Sequence, residues 1–149
     1  MAKGFAVLKE DALQLGRLDP FLGKKVIVAD DDSFIREALR MILREKKIEI
    51  LSEVANGQKV LEAVRYQKAD YLFLDINMPG MNGLEVLKQL VDEQIKVKVI
   101  MISGSATKEA VKTALELGAV GFVVKPFNPA AVYKTLERAN IAAGTKPAQ

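Results

Sequence analysis

The chain contains no cysteine and no histidine. Without thiols there is no disulfide, no thiolate metal site and no cysteine nucleophile. Without imidazole the usual proton shuttle is gone, and so is any Ser-His-Asp arrangement. Long apolar runs are missing as well: the longest span only a few residues, and Lys9, Glu10 and Asp11 interrupt the N-terminal segment. Neither a membrane span nor a signal peptide is therefore expected, and a cytoplasmic location is the default. Nor does charge of one sign dominate, since 22 basic residues face 19 acidic ones in a scattered pattern, for a net +3. That balance is too mild to call for nucleic acid. Any chemistry must run on carboxylates, hydroxyls, lysine and a bound cation.

What is present is a regular alternation. The 149 residues suit one domain with a full core and are too few for two ordinary ones, and 50% hydrophobic with 28% charged residues fits a globular protein. From Lys24 onward, short β-branched runs at Val26 to Asp30, Ile48 to Val54, Tyr71 to Asp75, Val97 to Ile102 and Val120 to Val124 read as strands. Between them apolar residues recur at helical spacing: Ile35, Leu39 and Ile42; Val60, Leu61 and Val64; Leu84, Leu87 and Val91; Val111, Ala114 and Leu115. Val132, Leu136 and Ala139 mark a last helix. Thr107 is placed to cap the fourth helix, Gly118 to end it, and Asn128-Pro129 to open the fifth.

Five βα units follow. Strands that are apolar throughout belong in a parallel sheet covered by helices on both faces. The expectation is an α/β doubly wound five-stranded sheet in the flavodoxin-like order 2-1-3-4-5, which binds ligands at the carboxyl ends of its strands. In that order strands one and three are neighbours, about 4.8 Å apart. Asp30 and Asp31 after VIVA would then crowd against Asp75 after YLFL, with Ser103 and Lys125 ending the next two strands.

Two unit charges at about 4 Å repel by roughly 4 kcal/mol at an effective dielectric near 20. Three ionised carboxylates would therefore raise one another's pKa values unless a cation neutralises them. A hard divalent cation with oxygen ligands answers this, and Mg2+ keeps room for phosphate oxygens. Asp75 is then placed to attack phosphorus, Lys125 to offer a point charge to the transferred group, and Ser103 a hydroxyl. Gly104 beside Ser103 leaves space for that group.

VIVADDDSFIR, LFLDINMPGMNGLEVL, MISGSA and GAVGFVVKPF resemble, in order and separation, the four signatures of response-regulator receiver domains, nearest to the single-domain chemotaxis type. The resemblance runs from about Lys24 to about Ala142. It implies that Asp75 is the phosphoacceptor and that Asp31 ligates magnesium directly, Asp30 acting through a water. It also implies a backbone carbonyl of Asn77 in the metal shell and Mn2+ as a substitute for Mg2+. Lys125 would pair with the phosphoryl group, before a cis bond to Pro126. Ser103 would be the switch hydroxyl and Phe122 the switch aromatic, where many relatives carry tyrosine. Asn77 and Ser105 flank the site where the family tunes hydrolysis. Asp32 matches no fixed role. The implied partners are a sensor histidine kinase or phosphotransfer protein as donor, and a downstream protein on the face of the fourth helix, fifth strand and fifth helix. A second copy of the chain is a further candidate.

Taken singly each element has a plainer reading: an aspartate after a strand caps the next helix, a lone serine ends a turn, a Lys-Pro is a loop. Their joint placement at strand ends argues against all of these together. The competing activity is a haloacid-dehalogenase-type phosphatase using Asp30 and Asp32 in a D-x-D motif. It lacks its late acidic residue, because nothing acidic follows Val124 until Glu137, and it leaves Asp75 without a role. A receiver that binds proteins without phosphorylation is disfavoured because every polar group required is present. Residues 1–23 form an extension in which Phe5, Leu8, Ala12 and Leu15 share one helical face. Residues 24–142 form the domain, and 143–149 a small, polar tail that is either an end or the start of a linker.

Overall fold

Each strand carries two sets of apolar side chains, because successive residues point to opposite faces of a sheet. In the computed structural model, which describes residues 20–144, Val26 and Val28 of one strand face one core while Ile27 and Ala29 face another. Tyr71 and Phe73 alternate with Leu72 and Leu74 in the same way, and Ile100 and Ile102 with Val99 and Met101. A sheet buried on both faces needs helices on both, which is why the chain must cross over after every strand.

The strands are β1 (Lys25–Ala29), β2 (Glu49–Val54), β3 (Tyr71–Asp75), β4 (Lys98–Ser103) and β5 (Gly121–Val124). They pair in parallel in the order β2-β1-β3-β4-β5, as the sequence pattern requires. The intervening helices are α1 (Ser33–Glu45), α2 (Gly57–Tyr66), α3 (Gly83–Asp92), α4 (Lys108–Glu116) and α5 (Pro129–Gly144). α1 and α5 cover one face with Leu39, Leu43, Val132 and Leu136, joined by Phe21, whose ring meets Tyr71 edge-on. α2, α3 and α4 cover the other. The amphipathic stripe from Phe5 to Leu15 lies outside the described residues, and so does the expected 143–149 tail except for Ala143 and Gly144, which are the last residues of α5 rather than tail.

Strand boundaries fall within a residue of those expected, and the expected caps are in place. Thr107 Oγ1 accepts from Ala110 N at 3.0 Å, Asn128 Oδ1 accepts from Ala131 N at 2.8 Å, and Gly118 ends α4 at φ +110°. Two helix faces differ from the expected stripes. In α3 the inward residues are Val86, Leu87 and Leu90, whereas Val91 is half exposed. The rotation is set by Gly83, which lies so close to the backbone carbonyl of Asp75 that a Cβ there would overlap it. Its neighbours at i+3, i+4 and i+7 share its inward face. In α4 only Ala114 is fully buried, and Leu115 is half exposed.

Candidate functional site

The carboxyl edge of the sheet collects the polar ends of β1, β3, β4 and β5, as strand order dictates. Asp30 and Asp75 are buried, Asp31 is exposed, and one carboxylate oxygen from each lies within 4.8 Å of the others. Lys125 reaches over from the end of β5, with Nζ 2.7 Å from Asp30 Oδ2 and 3.4 Å from Asp75 Oδ1. The Lys125-Pro126 bond is cis.

Asp30 is held at every polar atom. Its backbone N–H donates to Val54 O at 3.1 Å, its carbonyl accepts from Arg36 Nη1 at 2.7 Å, and its Oδ1 accepts from Asp32 N at 2.8 Å. Oδ2 is sealed from solvent and lies 2.7 Å from the Lys125 ammonium. Asp75 Oδ1 accepts from Asn77 N at 3.3 Å. Burial first, and then the charge of Asp30, lift the Asp75 carboxyl from 3.8 to about 6, against the opposing pull of Lys125 and the Asn77 N–H. Burial would lower the Lys125 ammonium, but Asp30 and Asp75 outweigh it and hold that group above the usual lysine range.

The donor set suits a divalent cation on its own atoms. It offers three carboxylates with one oxygen of each inside 4.8 Å, and the enclosed Asp30 Oδ2 is balanced by the Lys125 ammonium alone. These are features that a small oxygen-seeking ion such as magnesium satisfies.

Ser103 is buried at the last position of β4, and its Oγ both donates to Ser105 O at 3.1 Å and accepts from Ser105 N at 3.0 Å. Phe122 lies lower on β5, in register with Met101, and packs part-buried against the α2–α3–α4 core. A Cβ at Gly104 would meet nothing within 4 Å, so the expected clearance exists but does not itself demand glycine. Asn77 is exposed next to the cluster.

Asp32 is the N-cap of α1, its Oδ1 accepting from Phe34 N at 2.9 Å, and it is not part of the cluster. This assignment removes the second carboxylate from the phosphatase alternative, which is set aside. Sequence reasoning missed Arg36 and its neighbour Glu53. An arginine one turn into α1 is visible in the sequence, but its partner on β2 is not.

The family model for the response regulator receiver domain matches residues 26–137. Chemotaxis protein CheY of Thermotoga maritima is 33% identical over 117 residues, covering 78% of this chain and 98% of that protein. Its counterpart in Listeria monocytogenes is 36% identical over 115 residues, covering 77% and 97%. Among solved structures, a CheY-like receiver domain from Methanospirillum hungatei matches with a TM-score of 0.74 at 25% identity, covering 82% of this chain and 98% of that one. The CheX-CheY-BeF3-Mg2+ complex from Borrelia burgdorferi matches at 0.73 and 30%, covering 80% and 90%. With order, site and matches in agreement, the chain belongs to the response-regulator receiver domains, the phosphoacceptor modules of two-component signalling.

Proposed function

We propose that Asp75 is the residue that accepts the phosphoryl group, from a histidine kinase, a phosphotransfer protein or a small phosphodonor. The observation that carries this reading is the placement of three carboxylates with one oxygen of each within 4.8 Å of the others, two of these carboxylates also contacting Lys125. In the transfer one Asp75 carboxylate oxygen forms the new O–P bond as the bond from phosphorus to the donor breaks, and the donor leaves with the electron pair. Lys125 is positioned to exchange its contact with Asp75 for one with a phosphoryl oxygen. Asp30, Asp31, Asp75 and the backbone carbonyl of Asn77 would hold Mg2+, or Mn2+ in its place. When bound, the ion supplies positive charge that offsets both the carboxylate repulsion and the charge on the transferred group. The chain catalyses only its own phosphorylation and dephosphorylation.

The readout follows from Ser103 and Phe122. Ser103 Oγ currently holds the Ser105 main chain, and moving that hydroxyl to the phosphoryl group carries the β4–α4 loop inward. Phe122, in the core that also holds Ala114 of α4, follows. The surface formed by α4, β5 and α5 thereby changes its affinity for a downstream protein. A cytoplasmic location fits this role, and among the described residues no helix is long and apolar enough to cross a membrane.

Intact-mass measurement after incubation with Mg2+ and acetyl phosphate tests the assignment. Wild type should gain one labile phosphoryl group, and Asp75→Asn should gain none. Equal labelling of the variant would place the acceptor elsewhere.

A further inference from the structure

Arg36 sits one turn into α1 and is absent from the chemistry described above, yet its guanidinium touches the backbone of a site residue. Nη1 donates to the Asp30 carbonyl at 2.7 Å, and Nε lies 3.7 Å from Glu53 Oε1. Glu53, near the end of β2, is held in turn by a bidentate pair with Arg40, at 2.6 and 2.8 Å. On the other side of the same residue, in the preceding peptide unit, the Asp30 N–H is fixed to Val54 O. The turn carrying Asp30 and Asp31 is thus clamped between the end of β2 and the first turns of α1.

From this clamp we infer that Arg36 is a positioning residue for the acidic pair. By fixing the carbonyl of Asp30 it fixes the direction in which the Asp30 and Asp31 side chains leave the backbone. Glu53, paired with Arg40, faces the Arg36 guanidinium from β2 without touching the Asp30 carbonyl. The guanidinium suits this task because it is planar, always charged, and able to donate to a carbonyl and face a carboxylate at once. A lysine has all its donors on one nitrogen, whereas Arg36 uses Nη1 for the carbonyl and Nε for the carboxylate. The inference rests on the reading of these aspartates as cation ligands.

The direct test is Mg2+ affinity by isothermal titration calorimetry on the full chain, with circular dichroism to follow folding. Loss of a group that orients a metal ligand typically costs about 10- to 100-fold in affinity. Arg36 acts one step back, through the backbone, so Arg36→Gln should weaken Mg2+ binding about 3- to 10-fold, while the acetyl-phosphate labelling rate at saturating Mg2+ stays near that of wild type. Glu53→Gln removes the same ionic contact without touching the Asp30 carbonyl, and should lower the melting temperature yet leave the Mg2+ Kd within about twofold. Arg36→Lys should fall between wild type and Arg36→Gln. The inference is overturned if Arg36→Gln binds Mg2+ as wild type does. It is equally overturned if Glu53→Gln weakens binding as much as Arg36→Gln, because the effect would then be one of general stability. Should Arg36→Gln fail to fold, Arg36→Lys against Glu53→Gln decides by the same comparison. If wild type itself binds no Mg2+, the cation reading of the site fails, a result distinct from either of these.

Discussion

Replacing Asp75 with asparagine should make the protein more stable, although it abolishes the proposed acceptor. The Asp75 carboxyl is pushed up to about 6, against an ordinary 3.8. A group whose folded pKa is raised takes a proton more readily in the native state than in the unfolded chain. Its ionisation therefore costs native stability, progressively from about pH 4 to about pH 6 and by a constant amount above that. A displacement of about two units corresponds to about 3 kcal/mol. A Coulomb check gives the same scale: two carboxylate oxygens at the 4.8 Å limit of the cluster repel by about 3.5 kcal/mol at an effective dielectric of 20, and the Lys125 contact offsets part of this. Asparagine keeps an oxygen for the Asn77 N–H but sets amide hydrogens beside Lys125, so the net gain should be about 2 kcal/mol. For a domain of this size that is a rise of about 6–10 °C in Tm. The measurement is urea unfolding followed by circular dichroism, from pH 4 to pH 8 in the presence of EDTA. The gain should vanish near pH 4, grow through pH 5 and 6, and level off above. Adding Mg2+ at pH 8 should stabilise wild type more than the variant and close most of the gap. A variant no more stable than wild type at pH 8, or a gain as large at pH 4 as at pH 8, would refute the reasoning.

Further expectations come from single contacts. Lys125→Met strips the ammonium from a fully enclosed Asp30 oxygen and should destabilise the metal-free protein by about 3 kcal/mol in urea, with Mg2+ restoring part of the loss. Gly83→Ala drives a methyl group into the Asp75 carbonyl; the overpacking should cost about 3 kcal/mol in urea midpoint and slow labelling by acetyl phosphate, because the acceptor strand must shift. Ser103→Ala deletes both Oγ bonds to the Ser105 main chain. The loop is exposed and water can replace them, so the stability loss should be about 0.5–1 kcal/mol, while the Ser105 amide exchanges its hydrogen faster in NMR or mass-spectrometric measurements.

Much of this architecture was legible in the sequence because period-two burial and short βα spacing restrict the chain so strongly. Once β1 and β3 are neighbours, Asp30, Asp31 and Asp75 have nowhere else to meet. Helix rotation was less legible. In α3 the sets Leu84-Leu87-Val91 and Val86-Leu87-Leu90 both satisfy a helical stripe, and what chooses between them is the close approach of Gly83 to a backbone carbonyl on β3. That is a contact between elements, with no local signature. The role of Asp32 was hidden for a related reason, since three consecutive aspartates look alike until the backbone turns and one of them caps a helix. Arg36 was invisible as a site residue because its bond is to a main-chain oxygen, which every residue type presents equally.

That α4 buries only Ala114 completely bears on how such a protein can diverge. Substitutions at Lys108, Lys112 or Glu116 forfeit almost no buried area, so folding imposes little selection on them. Gene duplicates could therefore rewrite that surface and acquire separate listeners while the acidic chemistry at the sheet edge stays intact. Cross-talk between paralogues would be suppressed by mutation at positions that the core scarcely notices.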